Sequence, residues 1–118
     1  MRDLAVARVI LYVRNIAKVA AFYERFFNMK PLPGAMDGWL ELSSPSGGCT
    51  IALHRAAKSQ KSGAAIKLVF AVKNVRAFVR ESQKQGLQFG VIHRADGFEF
   101  ANAKDPAGNS ISISSWGL

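Results

Sequence analysis

The chain repeats itself, and that repeat narrows the folds open to it more than any other feature. Val9-Ile10-Leu11-Tyr12-Val13-Arg14-Asn15-Ile16 matches Leu68-Val69-Phe70-Ala71-Val72-Lys73-Asn74-Val75, and one interval of 59 residues separates both Val13 from Val72 and Asn15 from Asn74. Further on, Trp39-Leu40-Glu41-Leu42 and the turn Ser44-Pro45-Ser46-Gly47-Gly48 answer to Phe100-Ala101-Asn102-Ala103 and the turn Asp105-Pro106-Ala107-Gly108-Asn109. A short apolar strand follows each turn, Thr50 to Leu53 and Ser110 to Ile113. The sequence therefore uses one unit twice, at about 5–55 and about 65–116, with a polar, small and basic linker at about 56–64.

Within each unit the residue types set the order of elements. Residues 7–13 and 66–72 are β-branched and apolar, as strands require. Asn15 and Asn74 then stand where helix N-caps belong, with a side-chain oxygen able to accept from a free backbone N–H. Ile16, Val19, Ala20, Tyr23 and Phe27 recur at helical spacing as one apolar stripe, which Val75, Phe78, Val79 and Ser82 repeat more weakly. Asn28 and Gly86 supply left-handed stops. Three short strands follow each helix, at about 30–33, 38–43 and 49–55, and at about 88–94, 98–103 and 110–116. Pro fixes φ in the two long turns, and Ala95-Asp96-Gly97 makes a further hairpin turn. The predicted class is α+β, a single domain of two tandem βαβββ modules.

Composition removes whole classes of function. At 118 residues, 49% apolar and 20% charged, the chain can bury a core, and it holds no apolar run near the roughly 20 residues of a transmembrane helix. The opening MRDLAVARVILYV is interrupted by Asp3 and Arg8 and is followed by no small-residue cleavage site. It reads as a first strand rather than a signal peptide, so a cytoplasmic location and no membrane partner are expected. Cys49 is the only cysteine, which excludes an intrachain disulfide and a Cys-rich zinc site and agrees with a reducing compartment. The net charge of +8 points either to an acidic partner or to a lysine-rich soluble surface. Basic residues are spread over helices, linker and strands without interleaved aromatics, so nucleic acid is not an expected partner.

Taken in order, Val13-Arg14-Asn15, the helical Phe22-Tyr23 and the Asp105-Pro106-Ala107-Gly108-Asn109 turn resemble the glyoxalase/bleomycin resistance/dioxygenase (vicinal oxygen chelate) superfamily over nearly the whole chain. The resemblance implies that the two modules form an open, barrel-like mixed sheet around a cleft. It also implies divalent-metal ligands near the start of each module's first strand and on its last, usually His, Gln or Glu. The corresponding positions here are Arg8, Lys67, Ala52 and Ser112. Two cations repel a divalent ion, Ala offers no lone pair, and Ser is a poor neutral ligand. A metal-free protein without cofactor is therefore expected, and the metal-dependent glyoxalase, extradiol dioxygenase and fosfomycin thiol-transfer chemistries of the family are not. A metal site rebuilt from His54 and Glu41 falls short of the three protein ligands of an open catalytic site.

Side chains alternate across a strand. With positions 8 and 67 turned to the cleft, Ile10, Tyr12, Val69 and Ala71 accompany them, while Val9, Leu11, Val13, Leu68, Phe70 and Val72 face the helices. Thr50, Ala52, His54, Ser110, Ser112 and Ser114 join the cleft side, with Trp39, Glu41, Phe98, Phe100 and Asn102. The candidate ligand-binding residues are Arg8, Tyr12, Trp39, Glu41, Lys67, Phe100 and Ser112. Arg8 and Lys67 suit a carboxylate or phosphate, and Trp39 and Phe100 suit a planar or apolar group. The alternative is that Arg8 or Lys67 pairs with Glu41 or extends to solvent. His54 is the candidate catalytic base, weighed against a merely exposed strand end. Lower in rank, His93 reads as surface near a hairpin tip, Trp116 as packing for the last strand, and Cys49 as a thiol without a base partner. Arg76, Arg80 and Lys84 read as a solvated helix face.

Three function classes compete. The first is a metal-free family member that binds a small, anionic or neutral molecule. The second is an enzyme of the same superfamily, lyase-like or dioxygenase-like, working without metal or through an atypical ligand set. The third is a nucleic-acid or protein-binding module suggested by charge alone. The first is the expected one, as a C2 homodimer, with pairing of modules within or between chains left open.

Overall fold

Each half of the chain runs strand, helix and three strands, as the repeat requires. The structure is a computed structural model, and it describes Val6, residues 8–60 and residues 66–116. The expected strand residue Ala7, the linker residues 61–64 and the module edges at residues 5 and 65 lie outside the described residues. The first unit comprises β1 (Arg8–Val13), α1 (Ile16–Phe27), β2 (Lys30–Pro31), β3 (Trp39–Ser43) and β4 (Thr50–Arg55). The second comprises β5 (Lys67–Ala71), α2 (Val75–Lys84), β6 (His93–Ala95), β7 (Phe98–Lys104) and β8 (Ser110–Ser114). The chain divides into two compact units between residues 62 and 63. Each holds one four-stranded mixed sheet, ordered β1-β4-β3-β2 and β5-β8-β7-β6, and neither closes on itself. The first and last strands of a unit pair in parallel, and the remaining pairs are antiparallel. The α+β class and the doubled βαβββ order are as read from the sequence.

Both helices begin on the expected caps. Asn15 and Asn74 have extended backbone, and their side-chain oxygens accept from the Lys18 and Ala77 amides at 3.0 Å each. Asn28 ends α1 at φ 54°. Gly86 follows α2 at φ 93°, where the Leu87 amide donates to the Ser82 carbonyl and the Gly86 amide to that of Gln83. That pair of bonds is the Schellman stop, which needs the left-handed backbone glycine tolerates.

The buried face of α1 is Val19, Ala20, Phe22 and Tyr23. Phe22 was missing from the expected stripe, and Ile16 and Phe27, which were in it, are half-buried at the helix ends. Together with Leu11, Val13, Leu42, Ile51 and Leu53, these side chains form the core of the first unit. Val75, Leu87, Phe89, Ala101, Ile111 and Ile113 do so in the second. The alternation is the predicted one: β1 buries Leu11 and Val13 while Arg8, Ile10 and Tyr12 stay exposed.

The edge strands are shorter than expected. β2 stops at Pro31 rather than residue 33, because Pro31 and Pro33 bring no amide N–H to a ladder. β6 starts at His93 rather than residue 88, since the preceding segment turns Leu87 and Phe89 into the core. β8 ends at Ser114, and Trp116, 69% exposed, packs edge-on against Phe98 with ring centres 4.8 Å apart. No described helix is long and apolar enough to cross a membrane.

Candidate functional site

The sheet face turned away from each helix carries the polar and aromatic side chains, so each unit presents its own candidate surface. On the first unit, Glu41 pairs in register with Ala52, and Arg8 with Thr50, one step along the same face. Arg8 Nε donates to Glu41 Oε2 at 2.8 Å, and the Thr50 hydroxyl donates to the same oxygen. Of the two outcomes left open by the sequence, Arg8 takes the pairing with Glu41. The Thr50 hydrogen bond, then the Arg8 hydrogen bond and charge, hold the Glu41 carboxyl below its ordinary value of 4.5 against an opposing desolvation. Arg8 remains 45% exposed and Glu41 16%, so the pair is a half-buried, charge-neutral donor and acceptor at the sheet surface.

Further along the same face, Tyr12, His54 and Trp39 lie side by side because β1, β4 and β3 pair at those three positions. The His54 ring centre is 5.2 Å from that of Tyr12 and 6.0 Å from that of Trp39, which meets it edge-on. His54 Nδ1 lies 2.8 Å from the Arg55 carbonyl oxygen. A carbonyl only accepts, so this bond assigns the proton to Nδ1 and leaves the lone pair of the neutral ring on Nε2. Arg55 itself forks onto Asp37 at 2.6 and 3.2 Å. The same contact lowers Asp37 and raises Arg55 from their ordinary pKa values.

On the second unit the equivalent positions carry different chemistry. Lys67 Nζ donates to Asn102 Oδ1 at 3.3 Å, so an amide stands where the first unit has Glu41. Ser112, only 3% exposed, donates its hydroxyl to the Ala101 carbonyl at 3.0 Å, which commits its proton within the sheet. Phe100 is paired with Ser114 and stacks on His93 at 4.8 Å and on Phe98 at 6.1 Å. The structure thus brings Arg8 to Glu41, and His54 to Tyr12 and Trp39, within the first unit. Lys67, Phe100 and Ser112 share one face of the second, and none of these three hydrogen-bonds or stacks with another.

Residues outside the candidate set also belong to these networks: Thr50, Asn102, Ser110 and Lys104, whose Nζ donates to Ser110 at 2.9 Å. The alternation that placed Glu41 and Lys67 on this face also places Thr50 and Asn102 there. Lys104 was missed because the expected strand stopped at residue 103. Arg76 is exposed, as read for this face of α2, and its guanidinium also ties the helix to Glu99 of β7 at 3.0 Å. Arg94 approaches the same carboxylate at 3.7 Å beside a surface hollow of about 270 Å³ lined by Arg94, Ala95, Gly97, Phe98, Glu99 and Ser115. Its size is below the range of about 300–1,000 Å³ usual for small-molecule pockets. Among the described residues no three His, Cys, Asp or Glu side chains are grouped to hold a metal ion.

No curated protein matches the chain. Among solved structures it is similar to TnmS3, an antibiotic binding protein from Streptomyces sp. CB03234, at 18% identity and a TM-score of 0.80, with 96% of each chain covered. It is also similar to a lactoylglutathione lyase from Agrobacterium tumefaciens, at 17% identity, 99% coverage of each chain and a TM-score of 0.78. A third similar structure is a superfamily member from Sphaerobacter thermophilus DSM 20745, at 14% identity, coverage of 95% of this chain and 97% of that one, and a TM-score of 0.78. At these identities the likeness is one of fold. A family model, however, matches residues 5–113, which is nearly the whole doubled unit. The chain belongs to the Glyoxalase/Bleomycin resistance protein/Dioxygenase superfamily.

Proposed function

We propose that this protein is a metal-free member of its superfamily that binds a small molecule on the helix-free faces of its sheets. The observation that carries this reading is the row Tyr12, His54 and Trp39, an aromatic surface edged by the neutral Arg8–Glu41 pair. An apolar platform with a few fixed donors and acceptors is the usual make-up of a small-molecule site. Tyr12 and Trp39 would cover a planar or apolar part of the ligand, and Arg8 and Glu41 would orient its polar groups. On the second unit Lys67, Phe100 and Ser112 provide a similar mixture. TnmS3 is described as antibiotic binding, which supports a binding role on this fold. Arg8 and Ala52, at two positions where metal-using relatives carry ligands, support the metal-free part, because one is spent on Glu41 and the other has no donor atom.

Trp39 reports on this face directly. In a Trp116→Phe background, titration with a panel of neutral and anionic aromatic compounds should quench Trp39 fluorescence saturably for at least one class. Tyr12→Ala with Trp39 intact should weaken that binding about fivefold, as expected when a stacking partner worth ~1 kcal/mol is lost. Absence of saturable quenching by every class would overturn the reading.

A second reading has its own observation. The lone pair on His54 Nε2, fixed by the Nδ1 bond to the Arg55 carbonyl, suits a general base in a metal-independent lyase-like reaction. Turnover lost in His54→Gln with binding retained would select this enzyme over the binding protein.

A further inference from the structure

The duplicated unit is its own control, and the two copies differ where charge is concerned. In the first, the cation Arg8 is met by the carboxylate of Glu41. In the second, Lys67 meets the amide of Asn102. The register sets a further lysine nearby. Lys67 of β5 and Lys104 of β7 both pair with Ser110 of β8, so the three side chains stand in one row across three strands, on one face of the sheet. Neighbouring strands are about 4.8 Å apart, which places the two lysine stems about 10 Å apart with the serine between them. Like charges so arranged disfavour each other unless an anion joins them.

The acidic side chains of this unit are engaged elsewhere. Asp105 accepts from the amides of Ala107 and Asn109 and from the Asn109 side chain. Glu99 is held by Arg76 and Arg94, and Glu81 pairs with Lys84 on the helix. Asp96 sits in the turn between β6 and β7. No carboxylate among the described residues forms an ion pair with Lys67 or Lys104.

We infer that Lys67, Ser110, Lys104 and Asn102 form an oxyanion subsite on the second unit, taking a phosphate or carboxylate group. Lys67 and Lys104 supply charge, and each keeps further ammonium protons beside the hydrogen bond it makes to Asn102 or Ser110. Asn102 Oδ1 faces Lys67, which leaves its NH₂ to donate to an anion. Ser110 accepts from Lys104 and keeps its own hydroxyl proton, and at 8% exposure it lies at the floor of the row. A tetrahedral or planar oxyanion between the lysines would meet four donors and relieve their repulsion. The subsite deepens the binding function proposed above by naming the group its ligand would carry, and it assigns that group to Lys67 rather than to Arg8.

Inorganic phosphate is the probe. Titrated into the full chain at constant ionic strength, it should shift the Asn102 side-chain amide and the Ser110 backbone amide in ¹⁵N spectra along one saturating curve. Lys67→Gln and Lys104→Gln should each weaken that affinity at least fivefold, and Lys67→Arg should largely retain it. Lys84→Gln removes the same charge from the helix and should leave it within twofold. Equal weakening by all three glutamine variants would mean diffuse attraction to a basic protein and would overturn the subsite, as would unchanged affinity in Lys67→Gln. Phosphate bound here without any ligand quenching Trp39 would sustain the subsite and sink the broader binding proposal. Quenching of Trp39 with no phosphate shift would do the reverse.

Discussion

Glu41 shows how one residue's state depends on neighbours far along the chain. Its carboxylate oxygen accepts from Thr50 and from Arg8, the latter 33 residues away, and both bonds favour the ionised form. The folded carboxyl therefore titrates below 4.5, its value without those contacts. A depressed carboxyl contributes stability that is present in full above about 4.5 and is lost as pH falls through the folded value. The Glu41 side-chain carbonyl resonance should accordingly give a midpoint under 4.5 in the native protein. Thr50→Val removes the largest of the causes and should move that midpoint upward, and a native midpoint at or above the ordinary value would contradict the geometry. Which cation Glu41 would choose was not legible in the sequence. Both Arg8 and Lys67 stood on first strands, and only the observed register sets Arg8 within reach.

The caps and the alternation were legible at the level of elements, because each depends on a local rule. Asn15 and Asn74 cap their helices where the repeat put them, each satisfying an amide that would otherwise have no partner in the first turn. Neither first turn carries an acidic residue to add a favourable helix-dipole interaction, so the cap is the main local stabiliser of each N-terminus. Asn74→Ala should cost about 1 kcal/mol in urea unfolding. Asn74→Asp should retain the cap, and equal losses in the two variants would show that the side-chain oxygen is not what matters. The ends of β2 and β6 were less legible, since an edge strand ends where its partner and its prolines allow and no periodicity marks the place. The same holds for Arg76: helical spacing showed a charged face, but the ion pair to Glu99 is a contact between elements that spacing does not encode.

At the scale of the whole molecule, duplication made the fold readable, while the chemistry lies in how the two copies diverged. The positions equivalent in the repeat retain apolar side chains toward the helices, Leu11 and Val13 in one unit and Phe70 and Val72 in the other, and they change type on the opposite face. That pattern bears on metal binding. His54 and His93 are the chain's only histidines, and among the described residues no three candidate ligand side chains are grouped. A divalent ion bound tightly to the native state would stabilise it by about 2.7 kcal/mol at a hundredfold excess over its Kd. For a domain of this size each kcal/mol raises Tm by several degrees. With 100 μM Ni²⁺, Zn²⁺, Mn²⁺ or Fe²⁺, a micromolar site would thus lift Tm by on the order of 10 °C. The donor set found here predicts a rise below about 1 °C for each ion, together with metal well under one equivalent by elemental analysis of protein purified without chelator. A large rise with one ion, abolished by His54→Gln, would show instead that His54 and Glu41 recruit a further ligand, and would overturn the proposed metal-free binding role in favour of a metal-dependent one.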